Sequence, residues 1–332
     1  MRFEPQMWIP PRDTGLVGPY AKNESLRGAA LWDTGGRGPE DVAIDGDGRV
    51  VTGIEDGRIL RFSPDGGRPE ELGRTGGRPL GIEAHPDGDG YIVCDADRGL
   101  LHLLPGGDIV TLATEHQGLP FAITNNASVA ADGTIYFSVS SHRWPLAAYV
   151  TDMLERTATG RLYRRDPNGD IEVLLDGMVF SNGVALSPDG DYVLVAETGS
   201  YRINRVWLSG ARAGRADVFV DNLPGFPDNL SETNGHFWCA FPRPRDRMLD
   251  ATMSRPWMRS AIERLPDAAK PKPSRHGFVA CYDGEGNVVA NLQDPSGRVA
   301  VTTGVRASGR LLYVGSLTEP HVAVISLPSF SG

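Results

Sequence analysis

Oxygen-bearing side chains recur at one register position of a repeated sequence unit. Each unit contains a turn glycine, and the residues eight places before it are Glu40, Leu80, Asn125, Asn182, Pro227 and Val301. Asp228 and Asn229 directly follow the proline. Four of the six positions therefore carry, at or beside them, an Asp, Glu or Asn side chain, and each of these offers a hard oxygen ligand.

Carboxylate and amide oxygens suit Ca²⁺, which takes about six to eight oxygen ligands in flexible geometry. Mg²⁺ demands stricter octahedral geometry, and the lack of His and Cys in the set disfavours zinc. Taken singly, Asp and Asn also begin strands after turns for structural reasons alone. The shared register favours a site for Ca²⁺, with other divalent cations as alternatives, at Glu40, Asn125, Asn182, Asp228 and Asn229.

The elements that position these residues are short strands. Six copies of one unit, in which alternating apolar runs are separated by Asp-Gly or Asn-Gly type turns, begin near residues 41, 81, 127, 183, 230 and 304. Each unit is typical of a small antiparallel sheet that must pack against its neighbours around an axis. We therefore predict an all-β, six-bladed β-propeller over residues 1–332 as a single domain. The alternative fold, a two-sheet sandwich, does not explain six copies of the same order of strands and turns.

The last copy lacks room for a fourth strand, and the segment from about 26 to 33 resembles the end of a unit. We expect that N-terminal strand to close blade six. Two stretches interrupt the repeat, at about 142–159 and 242–276, and their apolar spacing predicts helices. Long excursions of this kind are typical of lids over a binding site, so both are expected to cap one mouth of the channel. A packing or dimerisation surface is the alternative.

Composition excludes several partners. The 33 Lys and Arg against 42 Asp and Glu give a net charge of −9, which repels nucleic acid. No run of about 18 apolar residues and no apolar leader is present, so we expect a cytoplasmic protein that does not span a membrane. The three cysteines lack disulfide or zinc spacing and are expected to be reduced.

Several stretches resemble a known family. GPEDVAIDGDG, SNGVALSPDGDYVLVAETGSYRINRVWL, PGFPDN and LLYVGSLTEPHVAV are similar to the strictosidine synthase-like branch of the SMP-30, gluconolactonase and paraoxonase superfamily. That superfamily consists of six-bladed propellers with a divalent cation, usually Ca²⁺, in the central channel. The resemblance implies that Glu40, Asn125, Asn182 and Asp228 are metal ligands, with Asn229 as a further candidate.

The resemblance also bears on the reaction. Condensing enzymes of this branch use a glutamate on blade six, where this chain has Thr302 and Thr303, and threonine has no pKa suited to that role. Hydrolysis of small lactones, aryl esters or organophosphates is the remaining chemistry of the superfamily. Asp228 and His142 are the candidate general bases, and the substrate pocket is expected to include Trp144, Tyr149, Phe226, Trp257 and Thr303.

We therefore expect a Ca²⁺-dependent hydrolase with a small-molecule substrate. A condensing enzyme with a different acid and a noncatalytic propeller that binds a peptide or partner are the alternatives. The sequence leaves open the identity of the substrate, the choice of base, a second structural metal and the oligomeric state.

Overall fold

The computed structural model describes residues 2–266 and 274–327, which form six four-stranded antiparallel sheets. Strand β1 (Ala30–Asp33) comes first. Blade one is β2 (Val42–Ile44), β3 (Val50–Gly53), β4 (Arg58–Ser63) and β5 (Gly66–Arg74), and blade two is β6 (Pro79–Ala84), β7 (Tyr91–Asp95), β8 (Gly99–Leu103) and β9 (Ile109–Ala113). A short hairpin follows, whose two strands, β10 (Glu115–His116) and β11 (Leu119–Pro120), have two residues each.

The remaining blades keep the same order of strands. Blade three is β12 (Ile123–Val129), β13 (Ile135–Ser141), β14 (Gly160–Arg165) and β15 (Ile171–Met178), and blade four is β16 (Ser181–Leu186), β17 (Tyr192–Glu197), β18 (Arg202–Trp207) and β19 (Ala216–Val220). Blade five is β20 (Leu230–Thr233), β21 (His236–Ala240), β22 (Gly277–Tyr282) and β23 (Val288–Asp294). The prediction of an all-β, six-bladed propeller is confirmed.

Blade six joins the two ends of the chain. Its strands β24 (Thr302–Ser308), β25 (Leu311–Ser316) and β26 (His321–Ser326) are completed by β1, which pairs antiparallel with β26. Trp32 of β1 packs against Phe62 of blade one and Tyr313 of blade six, with ring centroids 5.5 and 5.7 Å apart. The N-terminal strand therefore supplies both an edge and an aromatic contact at the seam.

The turn glycines fix the register of the blades. All six adopt positive φ, which glycine tolerates without the steric cost of a side chain: Gly48, Gly88, Gly133, Gly190, Gly235 and Gly309. Near the start of four inner strands the pairing with the second strand shifts, for example between Thr124 and Ala127 and between Ser181 and Val184. Such bulges re-aim side chains, here at one mouth of the channel.

Neighbouring inner strands approach each other closely at this mouth. A Cβ added to Gly183 would lie 2.2 Å from the amide nitrogen of Leu230, and one added to Gly304 would lie 2.6 Å from the Cα of Asp41. Any side chain at these glycines would force the blades apart. The backbone contact between blades therefore brings the first residues of the inner strands near the axis.

In the described residues there are three short α-helices, and all lie in the two insertions. Helix α1 (Tyr149–Glu155) follows β13, while α2 (Arg247–Met253) and α3 (Pro256–Glu263) follow β21. The Asp246 side chain accepts hydrogen bonds from the first turn of α2, and Pro256 occupies the first turn of α3, both typical helix starts. Residues 267–273 of the second insertion lie outside the described residues.

An extended segment, residues 2–13, crosses both insertions, and we call it the N-terminal strap. Its Gln6 amide donates to the Glu155 carbonyl at 2.8 Å, and its Trp8 amide donates to the Met253 carbonyl at 3.0 Å. The fully buried Arg259 donates to the carbonyls of Leu154, Met253 and Gln6. One guanidinium thus joins the strap to both insertions.

Removal of the closing strand tests the seam. Deleting residues 1–33 should leave β26 as an unpaired edge, so we expect a lower melting temperature and aggregation. Deleting only residues 1–13 removes the strap but keeps β1, so it separates the two effects. Closure by β1 would be wrong if both truncated proteins showed the same melting temperature and solubility by light scattering.

Candidate metal and active site

The five residues at the predicted ligand positions are buried at the start of inner strands. Asn125 and Asn182 lie within the bulged starts of β12 and β16, whereas Glu40, Asp228 and Asn229 directly precede β2 and β20. The Asn229 side-chain amide donates to Glu40 Oε2 at 3.0 Å, and the nearby Asn182 side chain opposes the rise in the pKa of Asp228. Amide groups thus lie beside both carboxyl groups. We call these five residues the oxygen ring.

Four oxygens of the ring have no hydrogen-bond partner in the part of the chain that the structure describes. They are buried and are the Oδ1 atoms of Asn125, Asn182, Asp228 and Asn229. Leaving a buried acceptor unsatisfied costs about 1–3 kcal/mol, more for a charged group, so such atoms need a ligand to offset that cost. Their grouping at one mouth is the observation that a cation would explain.

The two carboxyl groups of the ring are strongly desolvated. Burial, and then the charge of Asp41, raise the pKa of Glu40, while Arg78 opposes that rise. Burial, and then the charge of Glu40, raise the pKa of Asp228 well above its usual value. A positive charge in the ring would favour both carboxylates in their ionised forms.

The donor set fits a hard divalent cation. Across residues 2–266 and 274–327, no three His, Cys, Asp or Glu side chains are grouped so that they could hold a metal ion. The candidate site therefore depends on amide oxygens as well as on two carboxylates, and this mixture is typical of Ca²⁺ sites. The presence of Ca²⁺ remains a proposal.

A second set of polar groups lies directly beside the ring and is fully paired. Asp41 accepts hydrogen bonds from the amides of Val42 and Ile82 and from the Asn126 side chain, and burial raises its pKa to about 7. Asn126 Oδ1 in turn accepts from the Val184 amide at 2.8 Å. This network links blades one to four, and we assign it a positioning role that the sequence analysis missed.

Thr303 positions the ring rather than lining a pocket. Its hydroxyl is buried and donates to the backbone carbonyl of Glu40 at 2.7 Å. Its own backbone carbonyl accepts from the backbone N–H of Asn229 at 3.0 Å. Thr302 lies deeper, where its hydroxyl donates to the Phe241 carbonyl. Blade six thus fixes the backbone of two ring residues from blades one and five.

Two insertion residues approach Asp228 from the mouth. The Arg243 guanidinium lies 4.6 Å from the ring centroid of Phe226, which is 5 % exposed. Tyr149, at the start of α1, is 39 % exposed, and burial of its hydroxyl raises its pKa, with Arg243 and Asp228 acting in opposite directions. The mouth therefore presents a hydroxyl and a guanidinium beside an apolar face, and Arg243 was missed.

Another arginine occupies the place where blade two lacks an oxygen ligand. Arg78 directly precedes β6, whose ring position is Leu80. Its Nη1 donates to the Gly38 carbonyl at 2.8 Å, whereas its buried Nη2 has no hydrogen-bond partner. The ring thus has a free hydrogen-bond donor close to Glu40. Only its position before an inner strand could have indicated this role in the sequence.

The remaining predicted residues lie elsewhere. His142 contacts the outer part of blade three: one ring nitrogen meets the Pro120 carbonyl at 2.8 Å and the other the Tyr163 hydroxyl at 3.0 Å. It lines an open cleft of about 470 Å³ that includes no residue of the oxygen ring. Trp144 bonds to the buried Glu155, and Trp257 is 70 % exposed on α3.

The six-bladed propeller fold is shared with several solved structures. A gluconolactonase from Xanthomonas campestris superposes with a TM-score of 0.66 at 17 % identity, covering 92 % of this chain and 91 % of that one. A regucalcin from Agrobacterium tumefaciens, titled a calcium-binding protein, superposes with a TM-score of 0.62 at 18 % identity, covering 89 % and 95 %. At these identities the likeness shows the fold alone.

The sequence comparisons give the family. The strictosidine synthase model matches residues 125–211, and the strictosidine synthase-like N-terminal model matches residues 18–62. The human adipocyte plasma membrane-associated protein is 36 % identical over 94 % of this chain and 81 % of its own length. The Arabidopsis thaliana strictosidine synthase-like 6 protein is 34 % identical over 95 % and 86 %. The chain belongs to the strictosidine synthase-like family, which confirms the resemblance.

The predicted cytoplasmic location remains a prediction. Among the described residues, no helix combines the length and apolar character needed to cross a bilayer. The curated relatives include several named plasma membrane-associated.

Chelation tests the oxygen ring. A cation that binds only the folded state stabilises it by about 2.7 kcal/mol at a free concentration of 100 Kd, so chelation should lower the melting temperature. Glu40→Gln should abolish that response, whereas Asp228→Asn should shift it to higher Ca²⁺ concentrations without abolishing it. Asp45→Asn, at the opposite end of β2, should leave it intact. A melting temperature that is indifferent to both chelator and added Ca²⁺ would contradict a cation site here.

The raised pKa values of Glu40 and Asp228 predict an inverted pH dependence for metal-free protein. Their folded-state pKa values lie above the unfolded ones, so the folded state holds protons that the unfolded chain releases. Stability should therefore fall as the pH rises from about 5 through neutrality. Saturating Ca²⁺ should oppose this loss of stability at higher pH. The Glu40→Gln variant should show a smaller loss of stability over the same pH range. Thermal unfolding at several pH values checks the sign, and a stability that rises over this range would contradict the assignment.

Proposed function

We propose that this protein hydrolyses small lactones or esters with the help of one divalent cation, Ca²⁺ in the first instance, held by the oxygen ring. The observation that carries the proposal is the group of four unpartnered buried oxygens around two desolvated carboxyl groups. The names of two structural neighbours, a gluconolactonase and a calcium-binding regucalcin, support it.

The residues of the ring would divide the work of holding the cation. Glu40 and Asp228 supply the negative charge, and Asn125, Asn182 and Asn229 supply neutral oxygens. When bound, the cation would act as a Lewis acid toward a carbonyl or phosphoryl oxygen. The Asn229 side-chain N–H fixes the Glu40 carboxylate through Oε2.

Asp228 is the proposed general base. Its Oδ1 atom has no hydrogen-bond partner among the described residues, so while it faces the cation it keeps a second lone pair that can accept a proton from a water attacking beside the cation. The contacts of His142 argue against it as the base, because Pro120 and Tyr163 engage both ring nitrogens. Burial also lowers the pKa of His142. We therefore assign His142 a structural role in blade three.

Arg78 and the mouth residues would orient the substrate. The free Nη2 of Arg78 can donate to a substrate oxygen, and so can the Arg243 guanidinium and the Tyr149 hydroxyl. Phe226 is itself buried and supports the Arg243 guanidinium from below. Developing negative charge on an ester or lactone oxygen would be stabilised by such preorganised donors. An organophosphate offers comparable oxygens and is tested alongside.

The reaction is tested with lactones, aryl esters and an organophosphate, using protein stripped of metal and reloaded with Ca²⁺. We expect hydrolysis that depends on the metal. Asp228→Asn should lose activity by about 10²- to 10⁴-fold even at saturating Ca²⁺, because a general base contributes that much. His142→Ala should lose only a few-fold.

The outcomes separate the alternatives. A large loss in His142→Ala together with a small one in Asp228→Asn would move the base to the histidine. Metal-dependent stability without hydrolysis of any substrate in the panel would favour a noncatalytic binding propeller. Condensation of an amine with an aldehyde by the unmodified protein, without hydrolysis, would overturn the hydrolase proposal.

A further inference from the structure

Exposed large apolar side chains are concentrated on the strap and the insertions. In the described residues, three such side chains lie on the outermost strands of blades, Val110, Val218 and Val289. The other eight belong to the first 17 residues or to the insertions, and they are Met7, Ile9, Val17, Tyr149, Val150, Met248, Trp257 and Leu265. The distribution marks one face of the molecule.

Several of these side chains belong to one packed layer. Helices α1 and α3 are joined by the Thr151 hydroxyl, which donates to Glu263 at 2.8 Å, and the strap bonds to the ends of α1 and α2. We use the name lid face for the outer side of this layer, which consists of Met7, Ile9, Val150, Met248 and Trp257. Their exposed fractions lie between 46 and 80 %.

The strap shows why these side chains point outward. Trp8 packs against Tyr201, with centroids 5.8 Å apart, and beneath the Arg156 guanidinium. Because side chains alternate along an extended segment, its neighbours Met7 and Ile9 face the opposite way and are 67 and 72 % exposed. The inward side is already filled, so the outward apolar side chains have nothing further to cover within the described chain.

The charge beside the lid face is opposite to that of the whole protein. Residues 242–266 contain six arginines and three acidic residues, and although Arg245 and Arg259 are buried, the other four arginines are exposed or half-buried in a chain of net charge −9. Arg247, Arg255 and Arg264 are exposed on or next to α2 and α3. Arg255 donates to the Ala251 carbonyl, and Arg247 lies 3.6 Å from Asp13. Exposed arginines therefore lie within a few residues of the exposed Met248, Trp257 and Leu265 along the second insertion.

We infer that the lid face docks onto the surface of an anionic lipid bilayer. Exposed Trp, Met and Ile between arginines are typical of helices that lie in a membrane interface, where apolar groups enter the lipid and cations meet acidic headgroups. A second copy is a poorer occupant, since a symmetric dimer through this face would bring two basic insertions together.

Docking in this way would direct the oxygen ring toward the lipid. The insertions begin where β13 and β21 end, and the Asp228 amide donates to the carbonyl of Ala240, the last residue of β21. The lid face therefore lies at the same mouth as the ring. The inference does not depend on the proposed hydrolytic activity, because it concerns only the outer side of the layer.

Sedimentation of the full chain with lipid vesicles tests the inference. The protein should bind vesicles of phosphatidylcholine and phosphatidylserine but not pure phosphatidylcholine, and high salt should weaken that binding. The double variant Met248→Ser, Trp257→Ser should lower the partition coefficient by about tenfold or more, given the apolar area removed from the lipid. Both side chains are at least 70 % exposed, so the melting temperature should not change.

The matched control is Val218→Ser, Val289→Ser, which removes two exposed apolar side chains from outer strands and should keep vesicle binding. The inference is overturned if the protein does not sediment together with anionic vesicles. It is also overturned if the control variant loses as much vesicle binding as the test variant. It is also overturned if the test variant binds vesicles like the unmodified protein but has a different molar mass by light scattering. A second copy or another protein surface would then be the occupant of the lid face.

Discussion

Glu40 and Asp228 lie buried at the same mouth, and each has a carboxyl group whose pKa burial raises. Two carboxylates in such surroundings cannot both ionise without a large cost unless a positive charge lies with them. The chain meets part of that cost with Asn182, Asn229 and the nearby Arg78. The oxygens that remain without a partner among the described residues are the ones that we propose as ligand positions, and the charge of these two groups sets the electrostatics of this mouth.

The geometry of that pair depends on closure of the ring of blades. Glu40 comes from blade one and Asp228 from blade five, while Thr303 of blade six contacts the backbone of Glu40 and Asn229. Blade six is also the place where the two chain ends meet through β1 and β26. A loosened seam would therefore disturb the backbone contacts of Glu40 and Asn229. The closure of the propeller and the geometry of the candidate site therefore both depend on blade six.

The ring could be predicted from sequence because a turn glycine at positive φ fixes the register of each blade. Counting from Gly48 or Gly190 therefore counts along a real structural period. Arg78, Arg243 and the Asp41 network were missed because their partners come from other blades or insertions. The location of His142 depends on Pro120 and Tyr163, which the sequence does not place beside it.

The second insertion shows most clearly where reasoning from the sequence pattern fails, since α3 buries its arginine and exposes its tryptophan. Arg259 is fully buried, whereas Trp257 is 70 % exposed. Burial of a guanidinium is tolerable only when its donors are satisfied, and the carbonyls of Leu154, Met253 and Gln6 supply most of what it needs. Those carbonyls come from α1, α2 and the strap, so the same arginine holds the layer together.

Trp257 is consequently exposed on the lid face. The inner side of the layer can position Tyr149 and Arg243 near Asp228, while its outer side remains available for the proposed contact with a lipid bilayer.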